Sequence, residues 1–374
     1  MEAVNLYFKS YDESIAREAL ATKEPPAPIY KAPINITAIV KASVFDAILY
    51  GIPLAVLYSI AAFCMRKVSG SMKPPPLSTR SWKTLLALTP FFAYRLVQVI
   101  VGACVHPAAT PGVRNHLIIG SFEDSRKKVL SESYQAMRIS ALSSTRHLVD
   151  GVLFKKKDVD LKGRWMIVTP VNGAFYEQLM DPRCSMIALA ERLNANILFF
   201  NYPGAGRSSG WFPNRDAVVA SHQVMLSLLE EMGATQIVDF GWSIGGGVKW
   251  RDHLETPRDK GKYYIVDYQT FRSTSNFGRA MLGEFGGQAV KFLQWEYDSE
   301  DALKKSSHPH TVVQTSWRHD GVIGGDGVIT ADNALAQVAD RDHVVLSIGQ
   351  HCDSLQEGTI GAIAQKVEEY FRGE

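Results

Sequence analysis

Cysteine is scarce in this chain of 374 residues. Cys64, Cys104, Cys184 and Cys352 form no Cys-x-x-Cys pair, and none stands near a histidine at metal-ligand spacing. That spacing argues against a zinc site and dithiol redox chemistry, and so sparse a set builds no disulfide scaffold. Charge of one sign is missing too. The 40 Lys and Arg face 38 Asp and Glu, leaving a formal net charge of +2, which gives no reason to expect nucleic acid or a strongly acidic partner. The first forty residues hold no apolar h-region, so no cleavable secretory signal is expected. No internal repeat of useful period runs through the chain.

What is present divides the chain into three zones. An apolar fraction of 46% is ample for a substantial core, and the length suits one large domain with an appendage. Residues 1–43 read as a polar N-terminal tail, broken by Pro25, Pro26, Pro28 and Pro33. Residues 44–106 read as a hydrophobic helical hairpin. From Ala47 to Met65 no formal charge appears, close to the ~20 residues that cross a bilayer as a helix. A basic stretch with Arg66, Lys67, Lys73, Arg80 and Lys83 follows, then a second apolar run, Leu85–Val105, interrupted by Arg95 and Gln98. Membrane association through residues 47–105 is the expectation, with the basic stretch against anionic headgroups. Arg95 is costly at bilayer depth and favours shallow placement or packing against protein, so core-packed cap helices are the competing reading.

From about residue 125 to 374 the pattern alternates strand and helix. Strands are expected at Trp165–Val168, Ile197–Phe200, Ile237–Phe240, Tyr264–Val266, Thr311–Thr315 and Val344–Ile348. Amphipathic helices are expected between them, as at Ala217–Met232 and Thr359–Phe371. Such alternation implies an α/β domain, a mostly parallel sheet with helices on both faces, whose ligands bind at the carboxyl ends of the strands.

Chemistry enters at Gly241-Trp242-Ser243-Ile244-Gly245, a G-x-S-x-G run fed by one expected strand and followed by an expected helix. That context is the one in which this pattern forms the nucleophile elbow of an α/β hydrolase, with the serine hydroxyl projected above the sheet. A serine needs a base, and the order in that fold is Ser, then acid, then His. His351, on the loop after the last expected strand, is the candidate base; His222, His253, His308, His310 and His319 are less well placed. For the acid, Asp320 has the better distance from the strand Thr311–Thr315. Asp326 has the better distance to a following helix expected over Ala331–Val338 and is narrowly preferred, while Asp267 is a third candidate. The oxyanion donors would be the N–H of Ile244 and that of Ala174 or Gly173, on the loop after Trp165–Val168.

Three segments together carry a family resemblance: Asn172-Gly-Ala-Phe-Tyr-Glu177, Asn201-Tyr-Pro-Gly-Ala-Gly-Arg-Ser-Ser-Gly210 and Gly241-Trp-Ser-Ile-Gly-Gly-Gly247. The middle one resembles the Tyr-x-Gly-x-Gly-x-Ser-x-Gly loop of many membrane-linked α/β hydrolases. The set is similar to the CHLPS proteins of chlamydiae and the related SidB-like effectors of Legionella. That resemblance implies a lipase- or esterase-like core preceded by a hydrophobic region, with Ser243, His351 and Asp326 or Asp320 as triad. The expected function is therefore a serine hydrolase cleaving an ester or thioester, plausibly of a lipid, at a membrane (a host-cell membrane if the protein is a secreted effector). No metal or organic cofactor is implied. The alternative is a membrane-anchored effector or binding protein that keeps the scaffold with little turnover.

Overall fold

A computed structural model describes residues 30–31, 94, 97, 98, 100–102, 104–107, 134–179, 185–210, 213–315, 322–351 and 353–373. Among them nine strands form one sheet: β1 (Tyr30–Lys31), β2 (Tyr134–Leu142), β3 (Leu148–Lys156), β4 (Arg164–Thr169), β5 (Asn196–Phe200), β6 (Gln236–Trp242), β7 (Tyr263–Tyr268), β8 (His310–Thr315) and β9 (Val344–Ser347). Their order across the sheet is β1-β2-β3-β5-β4-β6-β7-β8-β9. β3 is antiparallel to both β2 and β5, and the strands from β5 to β9 in that order are parallel to their neighbours. The chain winds outward from β4 to β5, then reverses and winds the other way through β6 to β9. The reversal between β4 and β6 is a topological switch point, where the carboxyl ends of an open sheet leave a crevice.

The helices are α1 (Tyr176–Leu179), α2 (Ser185–Arg192), α3 (Arg215–Glu231), α4 (Ile244–Glu255), α5 (Thr274–Phe292), α6 (Ser299–Lys305) and α7 (Glu357–Arg372). Alternate residues of each central strand feed two separate cores. Trp165, Ile167 and Ile237 join the layer that holds α3 and α4, while Met166, Val168, Val238 and Phe240 join that of α2 and α7. Burial on both faces is why these strands read as continuous apolar runs rather than alternating ones. The result is an α/β-hydrolase-like fold.

All six expected strands and both expected helices are present, with ends shifted by one or two residues. The helix expected over Ala331–Val338 is not: two 3-10 turns, Ala331–Asn333 and Leu335–Gln337, take its place. The Leu335 N–H donates to Thr270 O (2.8 Å) and Asn333 O accepts from the Arg272 N–H (2.7 Å). Backbone groups that a helix would spend internally are spent on the segment after β7. The hairpin of β2 and β3 was not anticipated, and Tyr30–Lys31, inside the polar tail, adds to the β2 edge.

The run Ala47–Met65, Arg95 and nearly all of the stretch before Tyr94 lie outside the described residues. The described residues at the end of the second apolar run, 94, 97, 98, 100–102, 104 and 105, are helical, and some of them pack on protein. Gln98, 6% exposed, donates to Leu293 O (2.9 Å) and its own carbonyl accepts from Trp295 Nε1 (3.0 Å). The polar interruption at Gln98 is thus a protein contact. Among the described residues no helix is long and apolar enough to cross a membrane.

Candidate active site

The turn from β6 into α4 places Ser243 at φ 52°, ψ −115°, a conformation that costs a non-glycine residue roughly 1–3 kcal/mol and persists only where the surroundings hold it. They do. The Ser243 N–H donates to Tyr268 O (2.8 Å), and its carbonyl accepts from the Gly246 N–H (3.0 Å). A Cβ on Gly245 would stand 2.2 Å from Thr169 O, and one on Gly246 2.2 Å from Thr270 Oγ1. The glycines that follow the serine therefore let the first turn of α4 press against the ends of β4 and β7.

His351 lies on the loop after β9, and its ring bridges two groups. Nε2 stands 3.0 Å from Ser243 Oγ and Nδ1 2.9 Å from Asp326 Oδ2. The loop is fastened on three sides: Tyr268 Oη donates to Asp353 O (2.6 Å), Gln269 Nε2 to Gln350 O (2.9 Å) and the His351 N–H to Asp326 O (2.6 Å). Asp326 is fully buried, and its Oδ1 accepts from the N–H groups of Val328 (3.0 Å) and Ile329 (2.7 Å). Burial alone would raise its pKa, but the hydrogen bond and charge of His351, with those two N–H donors, hold the carboxyl below its ordinary value. A carboxylate kept ionised at Nδ1 fixes the tautomer that leaves Nε2 free to accept the serine proton.

Of the two preferred acids the structure brings Asp326 to His351; Asp320 lies outside the described residues. Asp267 is occupied elsewhere, 3.2 Å from Lys249 Nζ and accepting from Trp250 Nε1 (2.9 Å). His222 and His253 both bond Asp239, within β6, at 3.2 and 2.8 Å. His308 stands edge-on to His253 (4.9 Å between centroids) and His310 is tilted against His343 (4.3 Å). This buried ionic cluster escaped the sequence reading, although Asp239 inside an apolar strand and Lys249 in a glycine-rich helix start were its visible marks.

Ile244 opens α4, so its N–H has no intrahelical carbonyl to meet and faces the crevice end. Gly173 has φ 76°, and the Ala174 N–H closes a turn onto Val171 O at 3.3 Å. The first two family-like segments prove to be tied to each other. Asn201 accepts from the Tyr176 N–H (2.9 Å) and donates to Glu177 (3.0 Å), and Tyr176 Oη donates to Asp150 (3.1 Å), all buried. Their polar residues lock the loop after β4 to the loop after β5, which is an architectural role.

Among solved structures, an esterase of Pyrococcus furiosus is similar at 14% identity and a TM-score of 0.48, over 64% of this chain and 92% of that one. An α/β serine hydrolase without lid from Xanthomonas campestris matches at 11% identity and 0.40, over 64% and 94%. Carboxyl esterase 2 of the fungus Tuber melanosporum matches at 16% and 0.41, over 65% and 87%. No curated protein sequence matches the chain. The family described as Chlamydia CHLPS protein matches residues 83–372, well over half of the sequence, and the chain belongs to that family.

Proposed function

We propose that the protein is a serine hydrolase that cleaves an ester or thioester at a membrane, with a lipid as the substrate class. The observation that carries this is the hydrogen-bonded series Ser243 Oγ, His351 and Asp326, at 3.0 and 2.9 Å, at the switch point of the sheet. Ser243 would attack the carbonyl carbon while His351 Nε2 takes its proton. The N–H of Ile244, with that of Ala174 or Gly173, would hold the tetrahedral oxyanion. His351 would then protonate the departing alcohol or thiol, and water would repeat the sequence in reverse to free the acid. Asp326 orients the imidazole and stabilises its cation.

The membrane part of this reading is supported by the uncharged run Ala47–Met65, the apolar run Leu85–Val105 and the basic stretch between them. Retention in the pellet after carbonate extraction tests it, and release by carbonate would count against insertion.

A second reading has one observation in its favour. The Ala174 N–H is turned onto Val171 O rather than left free, which suits a membrane-anchored effector or binding protein that keeps the scaffold with little turnover. Rapid-mixing hydrolysis of a p-nitrophenyl ester and of a thioester separates the two. A burst of leaving group, with the acyl mass found on Ser243, is expected of the hydrolase. Folded wild-type protein with neither burst nor adduct would leave the binding reading.

A further inference from the structure

Most of the large apolar side chains that stay exposed among the described residues, Leu254 at the end of α4 apart, fall in a few segments. Met281, Leu282 and Phe285 lie on α5, which leaves the carboxyl end of β7; Val322 and Val328 follow β8, and Ile348 follows β9. Because β6 to β9 are parallel, the segments after them emerge at the end of the sheet that carries Ser243.

α5 is bent into a hairpin. Leu282 (φ −130°, ψ 17°) and Gly283 (φ 66°, ψ −163°) leave helical geometry and reverse the chain. The arms touch through glycines, since a Cβ on Gly286 would stand 2.2 Å from Gly278 O. An ion pair between Arg279 and Glu284, 2.8 Å, spans the turn. Beyond it Met281, Leu282 and Phe285 are 67%, 69% and 78% exposed. Three large apolar side chains at the tip of a glycine-packed bend are costly in water unless something apolar meets them.

The root of the hairpin is joined to the end of the second apolar run. The Tyr94 ring stands edge-on to Phe292 (5.2 Å between centroids) and Tyr94 Oη donates to Phe292 O (3.0 Å). The positions of that helical stretch that face away from Gln98's contacts are again apolar and exposed, Val97 and Ile100. Farther along, His106 Nε2 lies 3.3 Å from Tyr297 Oη, and Pro107 is 3.3 Å from where a Cβ on Gly173 would be. The described end of the apolar run thus touches both the hairpin and the loop proposed to bind the oxyanion.

We infer that the α5 tip, with Val322, Val328 and Ile348, is a lipid-docking face that rests shallowly in a bilayer surface. The charges at its neck cancel, so it offers no pattern to an acidic or basic protein partner. The chain leading to its root carries the uncharged, bilayer-length run Ala47–Met65. The docking face stands on the geometry; its use in presenting an acyl ester to Ser243 rests on the hydrolase reading above.

The test uses the full chain with its four cysteines replaced by serine and Phe285→Cys carrying an environment-sensitive fluorophore. Zwitterionic, net-neutral phosphatidylcholine vesicles should shift its emission to shorter wavelength in low and high salt alike, and brominated acyl chains should quench it. The same probe at Lys260→Cys, exposed just before β7 and so at the opposite end of the sheet, should do neither. An emission that stays solvent-like, whether or not the protein floats with the vesicles, overturns the inference. So does a probe already shifted without lipid, by this chain's own apolar run if concentration is immaterial or by a second copy if it is not. Met281→Ser, Leu282→Ser and Phe285→Ser combined should lower hydrolysis of a vesicle-borne ester at least tenfold while a soluble short-chain ester is cleaved as before. If neither ester is cleaved by wild type the hydrolase reading fails, and the probe result still decides the docking face.

Discussion

Asp326 is the residue on which the site's electrostatics turn. Asp326→Asn keeps the acceptor for Val328 and Ile329 but removes the charge that fixes the His351 tautomer. A fall in kcat of about 10^3–10^4-fold with little change in KM is expected from ester kinetics, alongside an unaltered melting curve. Gly245 makes a different demand, for space. Gly245→Ala would drive a Cβ into Thr169 O and should cost roughly 1–3 kcal/mol in urea unfolding, with labelling of Ser243 lost or slowed. Ser243 and His351 were legible because the elbow and the final loop are local patterns. Asp326 was separated from Asp320 only narrowly, and the reason is geometric. The Gly324 N–H donates to Thr315 O at 2.9 Å, so Asp326 starts close to the strand end although it lies eleven residues farther along the sequence. Counting residues from Thr315 overestimates its distance and made Asp320 look equally good.

At the scale of elements, the junction of α4 with β6 and β7 carries more ionic structure than the mechanism uses. Lys249, fully buried, reaches Asp267 at 3.2 Å and donates to Val266 O and Asp239 O. Lys249→Met would leave the Asp267 carboxylate buried and unpaired. A loss of about 3–5 kcal/mol is predicted from chemical denaturation, and Lys249→Met with Asp267→Leu should recover a good part of it. Recovery of nothing would mean that the lysine's contacts to the two carbonyls, rather than the ion pair, dominate. The strands of the parallel half were legible as apolar runs because they are covered on both faces. β2 and β3 were not, since Arg138, Ser140 and Asp150 interrupt the pattern, and Asp150 accepts from Tyr176 Oη, which comes from beyond β4.

At the scale of the molecule, the same cluster gives stability a pH dependence. His222 is fully buried between Asp252 (2.6 Å) and Asp239 (3.2 Å). Burial works to lower its pKa, but the two carboxylates outweigh it and raise the imidazole to about 9. A raised folded-state pKa means stabilisation that is complete below the unfolded value of about 6.5 and is lost as pH climbs through about 9. Asp239 and Asp252 are held low by His222 and their other cationic partners against the opposing effect of burial, so their contribution fades only in acid. Melting temperature should therefore fall between pH 7 and pH 9.5, by the equivalent of about 3 kcal/mol at most, and His222→Gln should flatten that slope. Asp239 in an apolar strand hints at this cluster, but no local pattern shows its partners, because its members come from α3, β6 and α4 and meet only when the sheet is assembled.

The central claim is that Ser243 is an activated nucleophile, and labelling with a fluorophosphonate probe tests it most directly. Wild type should label at one site, Ser243, with labelling abolished in Ser243→Ala and His351→Ala and strongly slowed in Asp326→Asn. Folded wild-type protein that fails to label, or labelling that survives Ser243→Ala, would contradict the account.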